Sequence, residues 1–314
     1  MKKTITAIIP TYNNAGFLPC VLDSILKSET VPGEILVIDD GSTDDTAMLI
    51  REYSDKYPFI RYIPKQHEGV SAARNFGLSM AESDYISFID ADDYIEPDMY
   101  SLMLSAIEDA EKRGFCCQGA ICGYFTHKNG ITTPYFDDSL TTLSSGQILK
   151  AMFTDDNIKG FLTTRLFRTD LIKNISFDTD ISKCEDLLFQ SKLFSCKDVT
   201  FAYVAKPLYH YVQHKNNATA SLNFFENGTF SYKTAFERIA DTVGEDYVRT
   251  SYNSILEYSM YSLLSEYKRK GRQKDLLVQI RQLQKELRKT AVSHKRPRRL
   301  AYQYAPILFS HFLR

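Results

Sequence analysis

The stretch Tyr85-Ile86-Ser87-Phe88-Ile89-Asp90-Ala91-Asp92-Asp93-Tyr94 decides how this chain folds. Its first five residues form an apolar run with the length and composition of a buried strand. The run ends abruptly in three carboxylates within four residues. Acids crowded at the end of a core strand repel one another and lose hydration, and both effects are costly. A divalent cation removes that cost. Oxygen-rich sites suit magnesium or manganese, ions that also hold substrate phosphates. In open α/β sheets, ligands bind beyond the carboxyl ends of the strands. The stretch therefore points to a site for a metal and a diphosphate. A plainer use of the same acids is to cap the helix that opens near Pro97.

Outward from this stretch, strand and helix alternate. The spacing predicts strands at Ile5–Ile9, Glu34–Ile38, Phe59–Ile63 and Tyr85–Ile89. Helices are predicted between them, over Gly16–Ser28, from Thr43/Asp44 to about Tyr57, and over Val70–Ala81. Short strands separated by helices of this length make βαβ units and a mostly parallel, Rossmann-like sheet flanked by helices. Pro97–Arg113 reads as another helix, and Ala120–Thr126 with Ile131–Tyr135 as a hairpin about Lys128-Asn129-Gly130. Further helices are expected near Ser145–Phe153, Leu162–Leu171 and Glu185–Cys196, with a late strand at Val199–Val204. From Phe224 onward the pattern is helical, and Leu276, Ile280, Leu283 and Leu287 form an amphipathic stripe.

The 314 residues are 44% hydrophobic and 25% charged, which is globular composition and enough for one large domain or two. Net charge is −1 but unevenly spread. From Lys268 to Arg314 there are 14 basic against 2 acidic residues, a net of +12; the first 267 residues carry 24 against 37, a net of −13. An acidic body with a basic tail suggests an anionic partner for the tail. The six cysteines show neither zinc-ligand spacing nor the density of a disulfide scaffold, as expected for reduced thiols in a cytoplasmic protein. The first apolar strand is too short for a signal peptide, and no apolar run reaches the roughly 18 residues that span a membrane.

Four signals fall at strand ends or helix starts. Pro10-Thr11-Tyr12-Asn13 follows the first strand, where Pro10 is expected to stop the ladder and Tyr12 offers an aromatic face to a base. Asp39-Asp40-Gly41-Ser42-Thr43-Asp44 follows the second, where an acid can accept from a base imide or a ribose hydroxyl and the rest turns and caps a helix. Glu68-Gly69-Val70-Ser71-Ala72-Ala73-Arg74-Asn75 opens a helix whose free amides, with Arg74, can meet a phosphate. The acidic strand end is the fourth.

In this order and spacing the four resemble the family 2 glycosyltransferases of GT-A fold, from about Thr6 to Asp98. A weaker continuation runs through Lys183-Cys184-Glu185-Asp186-Leu187-Leu188-Phe189 and Tyr209-His210-Tyr211. The resemblance implies a nucleotide-sugar donor (usually a UDP-sugar), Mn2+ or Mg2+, a glycan acceptor and inversion at the anomeric carbon. It implies that Pro10, Thr11 and Tyr12 frame the uracil, with Asp40 accepting from its imide. Arg74 would lie near the base and diphosphate, Asp90 and Ala91 near the ribose. Asp92 would be the chief metal ligand, with Asp90, and with Asp93 in support or capping a helix. Residues 1–98 would form the donor half of the domain, 99–222 the acceptor half and 223–314 a helical extension.

Direct displacement needs a base for the acceptor hydroxyl. Resemblance to the family's Glu-Asp pair makes Asp186 that base, with Glu185 orienting it; without it, two acids in a helix's first turn simply complement the dipole. His210 or His214 is expected to complete the metal shell or to meet the diphosphate, with core packing of Tyr209-His210-Tyr211 as the alternative; relatives often carry arginines here, and Lys215 is expected to stand in for them. The tail Ser293-His294-Lys295-Arg296-Pro297-Arg298-Arg299, followed by aromatic and aliphatic residues, suits an anionic membrane carrying a lipid-linked acceptor. A docked terminal helix or pairing with another copy are the alternatives, and the acidic body argues against nucleic acid. A protein-linked acceptor and a non-catalytic protein of the same fold are the rival functions.

Overall fold

A computed structural model describes residues 3–214, 224–226, 228–270, 273–290, 297–304 and 306–307. The chain divides into two compact units, Met1–His214 and Lys215–Arg314.

The first unit begins with β1 (Ile5–Thr11), buried along its whole length, as a strand covered on both faces must be. It continues through α1 (Leu18–Leu26), β2 (Glu34–Asp39), α2 (Thr46–Lys56), β3 (Ile60–Pro64), α3 (Val70–Met80) and β4 (Tyr85–Phe88). Strands β3-β2-β1-β4 are hydrogen-bonded in that order and all parallel. The expectation that Pro10 ends the ladder needs correction. The Ile8 carbonyl accepts from the Ile89 N–H and the Thr11 carbonyl from the Asp40 N–H, so even-numbered residues of β1 turn to β4 and odd-numbered ones to β2. Pro10 lacks an N–H only on the β4 side, where pairing has already ended at Ile8–Phe88, and it stays in register with Ile38.

The rest of the unit comprises β5 (Tyr94–Ile95), α4 (Met99–Lys112), β6 (Cys117–Lys128), β7 (Ile131–Tyr135), β8 (Thr142–Ser144) and α5 (Ser145–Thr154). Then follow β9 (Arg165–Arg168), α6 (Thr169–Ile172), α7 (Glu185–Cys196) and β10 (Thr200–Val212). The predicted hairpin forms, with Lys128 opposite Ile131. The helix expected over Leu162–Leu171 does not. A single 3-10 turn, Leu162–Thr164, leads into β9, which lies antiparallel between β4 and β6. Leucine and arginine favour helices locally, but a four-residue slot between two strands satisfies both edges of the backbone and outweighs that preference. β6 continues to β10 in parallel, and β10 to β5 in antiparallel. One apolar cluster joins β1, α1, β4, α4, β6 and β10.

In the second unit a short hairpin, β11 (Phe225–Glu226) and β12 (Thr229–Phe230), precedes the helices, where helix alone was expected. Then come α8 (Lys233–Val243), α9 (Glu245–Arg269), α10 (Lys274–Lys289) and α11 (Pro297–Tyr304). The predicted stripe is real: Ile280, Leu283 and Leu287 are buried against Leu256, Met260, Leu263 and Leu264 of α9. Among the described residues no helix is long and apolar enough to cross a membrane. Lys215 and residues 291–296 of the basic tail lie outside the described residues.

Candidate active site

The parallel strands place their carboxyl ends on one side, and four of the expected segments meet there. At the end of β1, Pro10 and Thr11 are buried, and the Thr11 hydroxyl has no partner among the described residues. Tyr12 is exposed and stacks on His67, ring centroids 4.3 Å apart. Asn13, held at φ 53°, laces this turn to the next: its N–H donates to Ser42 Oγ and its Oδ1 accepts from the Thr43 N–H, each at 2.8 Å.

At the end of β2, Asp40 is buried and fully engaged. Its Oδ1 accepts from Lys65 Nζ at 2.6 Å and the Glu68 N–H at 3.0 Å; its Oδ2 meets the Gly69 N–H at 2.7 Å and His67 Nδ1 at 2.8 Å. Burial pushes this carboxyl up, but Lys65 and the two amides outweigh burial and hold it below the usual carboxylate range. Lys65 and His67 are absent from the sequence reading. Their signal was position: Pro64-Lys65-Gln66-His67 follows the third strand, at the same end as the other segments.

Arg74, one turn into α3, is 5% exposed and spans two acids. Its Nη1 donates to Glu185 Oε1 at 2.7 Å and its Nη2 to Asp90 Oδ1 at 3.1 Å, with the Phe177 ring beneath. Burial disfavours its charge, but Asp90, Glu185 and Asp186 raise its pKa above the ordinary arginine value. Asn75 clasps Phe177 from the next position, donating to its carbonyl and accepting from its N–H, and Phe177 stacks on Phe189 of α7 at 4.1 Å. The strand end and the start of α7 are thus brought together by α3.

The three acids after β4 take different roles. Asp93, 1% exposed, accepts from Tyr209 Oη at 2.6 Å and the Val212 N–H at 2.8 Å. Burial, with Asp90 and Asp92 beside it, pushes its carboxyl well above the usual range. Asp93 therefore ties the loop to β10. It does not cap α4, which begins after Asp98 without a side-chain cap. Ala91 is buried between the acids. Asp92 is half-buried, and its Oδ2 lies 2.8 Å from His214 Nε2, whose ring stacks on Phe17. Burial and Asp90 raise the Asp92 carboxyl, while His214 opposes them.

Asp90 and Asp92, two carboxylates whose mutual repulsion a cation would relieve, and the His214 imidazole are donors of the kind a divalent cation takes, but they do not converge as a group of three, and the described residues hold no other such group. His210 is placed elsewhere. Its Nε2 meets Glu96 at 2.8 Å and its Nδ1 meets His127 at 2.8 Å, so both ring nitrogens are taken. Burial lowers its pKa, and its ring lies against Tyr94 and Phe125. The histidine that reaches Asp92 is His214, which lies just past the end of β10 at Val212, whereas His210 is held within the strand by Glu96 and His127.

At the start of α7, Cys184 adopts a left-handed conformation, φ 62°, before Glu185 and Asp186. Asp186 Oδ1 accepts from the Leu187 N–H at 2.7 Å. Burial and the neighbouring Glu185 raise the Asp186 carboxyl to about 7, against the pull of Arg74. A carboxyl poised near neutrality is suited to proton transfer.

The sequence model described as Glycosyl transferase family 2 matches residues 6–175. The chain belongs to this family. Among relatives of this glycosyltransferase, EpsH of Bacillus subtilis (strain 168), itself named as a candidate glycosyltransferase, is 27% identical over 288 residues, or 85% of this chain and 78% of EpsH. The minor teichoic acid biosynthesis protein GgaB of the same organism is 28% identical over 230 residues, 68% of this chain but 23% of GgaB. S. aureus TarS 1-349 in complex with UDP-GlcNAc superposes with a TM-score of 0.64 at 18% identity, over 98% of this chain and 92% of that one. The likeness to TarS is one of fold: a mostly parallel sheet flanked by helices, the GT-A arrangement.

Proposed function

We propose that this glycosyltransferase moves a sugar, a hexosyl or N-acetylhexosaminyl group, from a UDP-linked donor to a hydroxyl of a cell-surface glycan acceptor, with inversion. The observation that carries the reading is the Arg74 bridge, which ties Glu185, and with it the adjacent Asp186, to the acidic strand end at Asp90. The relative named for teichoic acid synthesis and the UDP-sugar complex of TarS support the substrate class.

Tyr12 offers its exposed face to the base beside the buried Thr11 hydroxyl. An imide contact from Asp40 requires His67, the exposed member of its four contacts, to yield its place. Asp90 and Ala91 lie toward the ribose. Asp92 and His214, with Asp90, would hold a divalent cation, which when bound neutralises diphosphate charge. Asp186 takes the proton of the acceptor hydroxyl as that oxygen bonds to the anomeric carbon; the bond from that carbon to the diphosphate oxygen breaks, and UDP leaves with the electron pair. A lipid-linked acceptor at the inner membrane face agrees with the basic, aromatic tail.

Calorimetric titration with UDP, with and without Mn2+, followed by a panel of UDP-sugars scored for hydrolysis, tests this. Metal-dependent binding and hydrolysis of one sugar are expected. Absence of binding under both conditions would sink the UDP reading.

A further inference from the structure

Arg165, in β9, is 0% exposed and heads the largest fully buried side chains. Buried guanidinium groups are usually paired with carboxylates. Among the described residues Arg165 has no carboxylate in ion-pair contact. Its Nη1 donates to the Phe161 carbonyl and, at 3.3 Å, to Thr164 Oγ1; its Nη2 donates to the Lys159 carbonyl at 2.8 Å; its Nε is buried without a partner. Ser87 pairs with Leu166, so Arg165 lies beside the end of β4 that leads into the acidic loop.

These bonds strap residues 159–161 from the sheet side. Gln190 of α7, also 0% exposed, holds the same segment from the other side: its Nε2 donates to the Gly160 carbonyl at 2.7 Å and to the Asp186 carbonyl at 3.2 Å. Lys159 stands in the left-handed region at φ 39°. A Cβ on Gly160 would meet Leu187 Cδ1 at 2.4 Å, so the segment packs against the side chain of the residue that follows Asp186. The Arg165 guanidinium therefore reaches the backbone that carries Asp186 through residues 159–161 and Gln190.

We propose that Arg165 is a positioning residue for Asp186, fixing the start of α7 through residues 159–161 and setting a buried positive charge, which no carboxylate contacts among the described residues, on the β9 side of that turn. The proposal rests on Asp186 being the base. Glu185 from the same turn and Asp90 from the end of β4 disfavour the carboxylate form of Asp186; Arg74 from α3 and Arg165 from β9 favour it. Burial holds Arg165 itself down to about 10, with Asp186 the largest influence in the opposite direction.

The test is the pH dependence of UDP-sugar turnover in the full chain, for wild type, Arg165→Met, Arg165→Lys, Gly160→Ala and Asp186→Asn, with UDP affinity measured alongside. Arg165→Met should move the rising limb upward by less than about one pH unit, the low end for an opposite charge in contact, because residues 159–161 stand between the two groups, with UDP affinity within about twofold of wild type. Arg165→Lys should keep the limb in place, and it serves as the test if Arg165→Met does not fold. Gly160→Ala, which leaves every charge intact, should lower kcat several-fold without moving the limb. A uniform loss in Arg165→Met with an unmoved limb, or a limb moved as far in Arg165→Lys as in Arg165→Met, would overturn the proposal alone. Near-normal turnover in Asp186→Asn would overturn the base assignment, and this proposal with it.

Discussion

Arg74 Nη1 lies 2.7 Å from Glu185 Oε1, an ion pair that spans 111 residues of sequence. Because its other arm holds Asp90, one buried guanidinium joins the strand that ends in acids to the helix that begins with them. Replacing Arg74 by Met leaves both acids unpaired. The expected loss of stability is about 3 kcal/mol, the lower end for breaking a buried pair, since the Asp90 side chain is 36% exposed. Arg74→Lys should recover only part of it, because an ammonium lacks the planar fork that spans two acids. Urea unfolding of the three proteins measures this.

Asp186→Asn should abolish turnover, by at least about 100-fold, while sparing UDP binding. In wild type the active form is the carboxylate, so turnover should rise with pH through about 7. The stability sign runs the other way. A carboxyl raised above its unfolded value favours the native state at low pH and penalises it increasingly until the folded value is passed. Asp186→Asn should therefore melt slightly higher than wild type at pH 8 and no higher at pH 4, as thermal scans at the two pH values will show.

Asp92→Asn and His214→Ala should each weaken UDP binding in Mn2+ about tenfold or more and leave metal-free binding unchanged. Calorimetry in Mn2+ and in chelator separates the two contributions. His210→Ala, by contrast, should leave the Mn2+ dependence in place, since Glu96 and His127 hold that ring.

Asp40 contributes through a carboxyl held below its usual range; burial opposes this, and Lys65, Glu68 and Gly69 prevail. Its stabilisation is therefore complete above the ordinary carboxylate range and is lost as pH falls through the lowered value. Asp40→Asn should cost about 1.5–3 kcal/mol at pH 7, the range for hydrogen bonds to a charged group. The difference from wild type should shrink in acid, as urea midpoints between pH 3 and 7 will report.

Removing the chain after Ile307, which spares the buried Tyr302 and Gln303 of α11, should reduce co-sedimentation with phosphatidylserine vesicles by more than about tenfold, because the deleted segment carries Leu308, Phe309, Phe312 and Leu313. Unchanged co-sedimentation would sink the membrane reading of the tail.

Periodicity alone was enough for β1 to β4 with their helices, for the start of α7 at Glu185, and for the buried stripe on α10. These are local facts: alternation of two or 3.6 residues, a glycine at a helix start, acids at the end of an apolar run. The same locality explains why the candidate site was legible as a set of segments, each marked by its place at a strand end.

The tertiary structure decided which partner each side chain takes. Arg165–Arg168 is a strand because a slot between β4 and β6 has two open edges, which no window on Leu162–Leu171 contains. Asp93 faces Tyr209 rather than a helix end, His214 rather than His210 reaches Asp92, and Lys65 and His67 close on Asp40. Each of these pairs joins residues more than twenty positions apart. Burial then turns such pairs into large electrostatic effects, because a charge removed from water must find its compensation wherever the fold provides it.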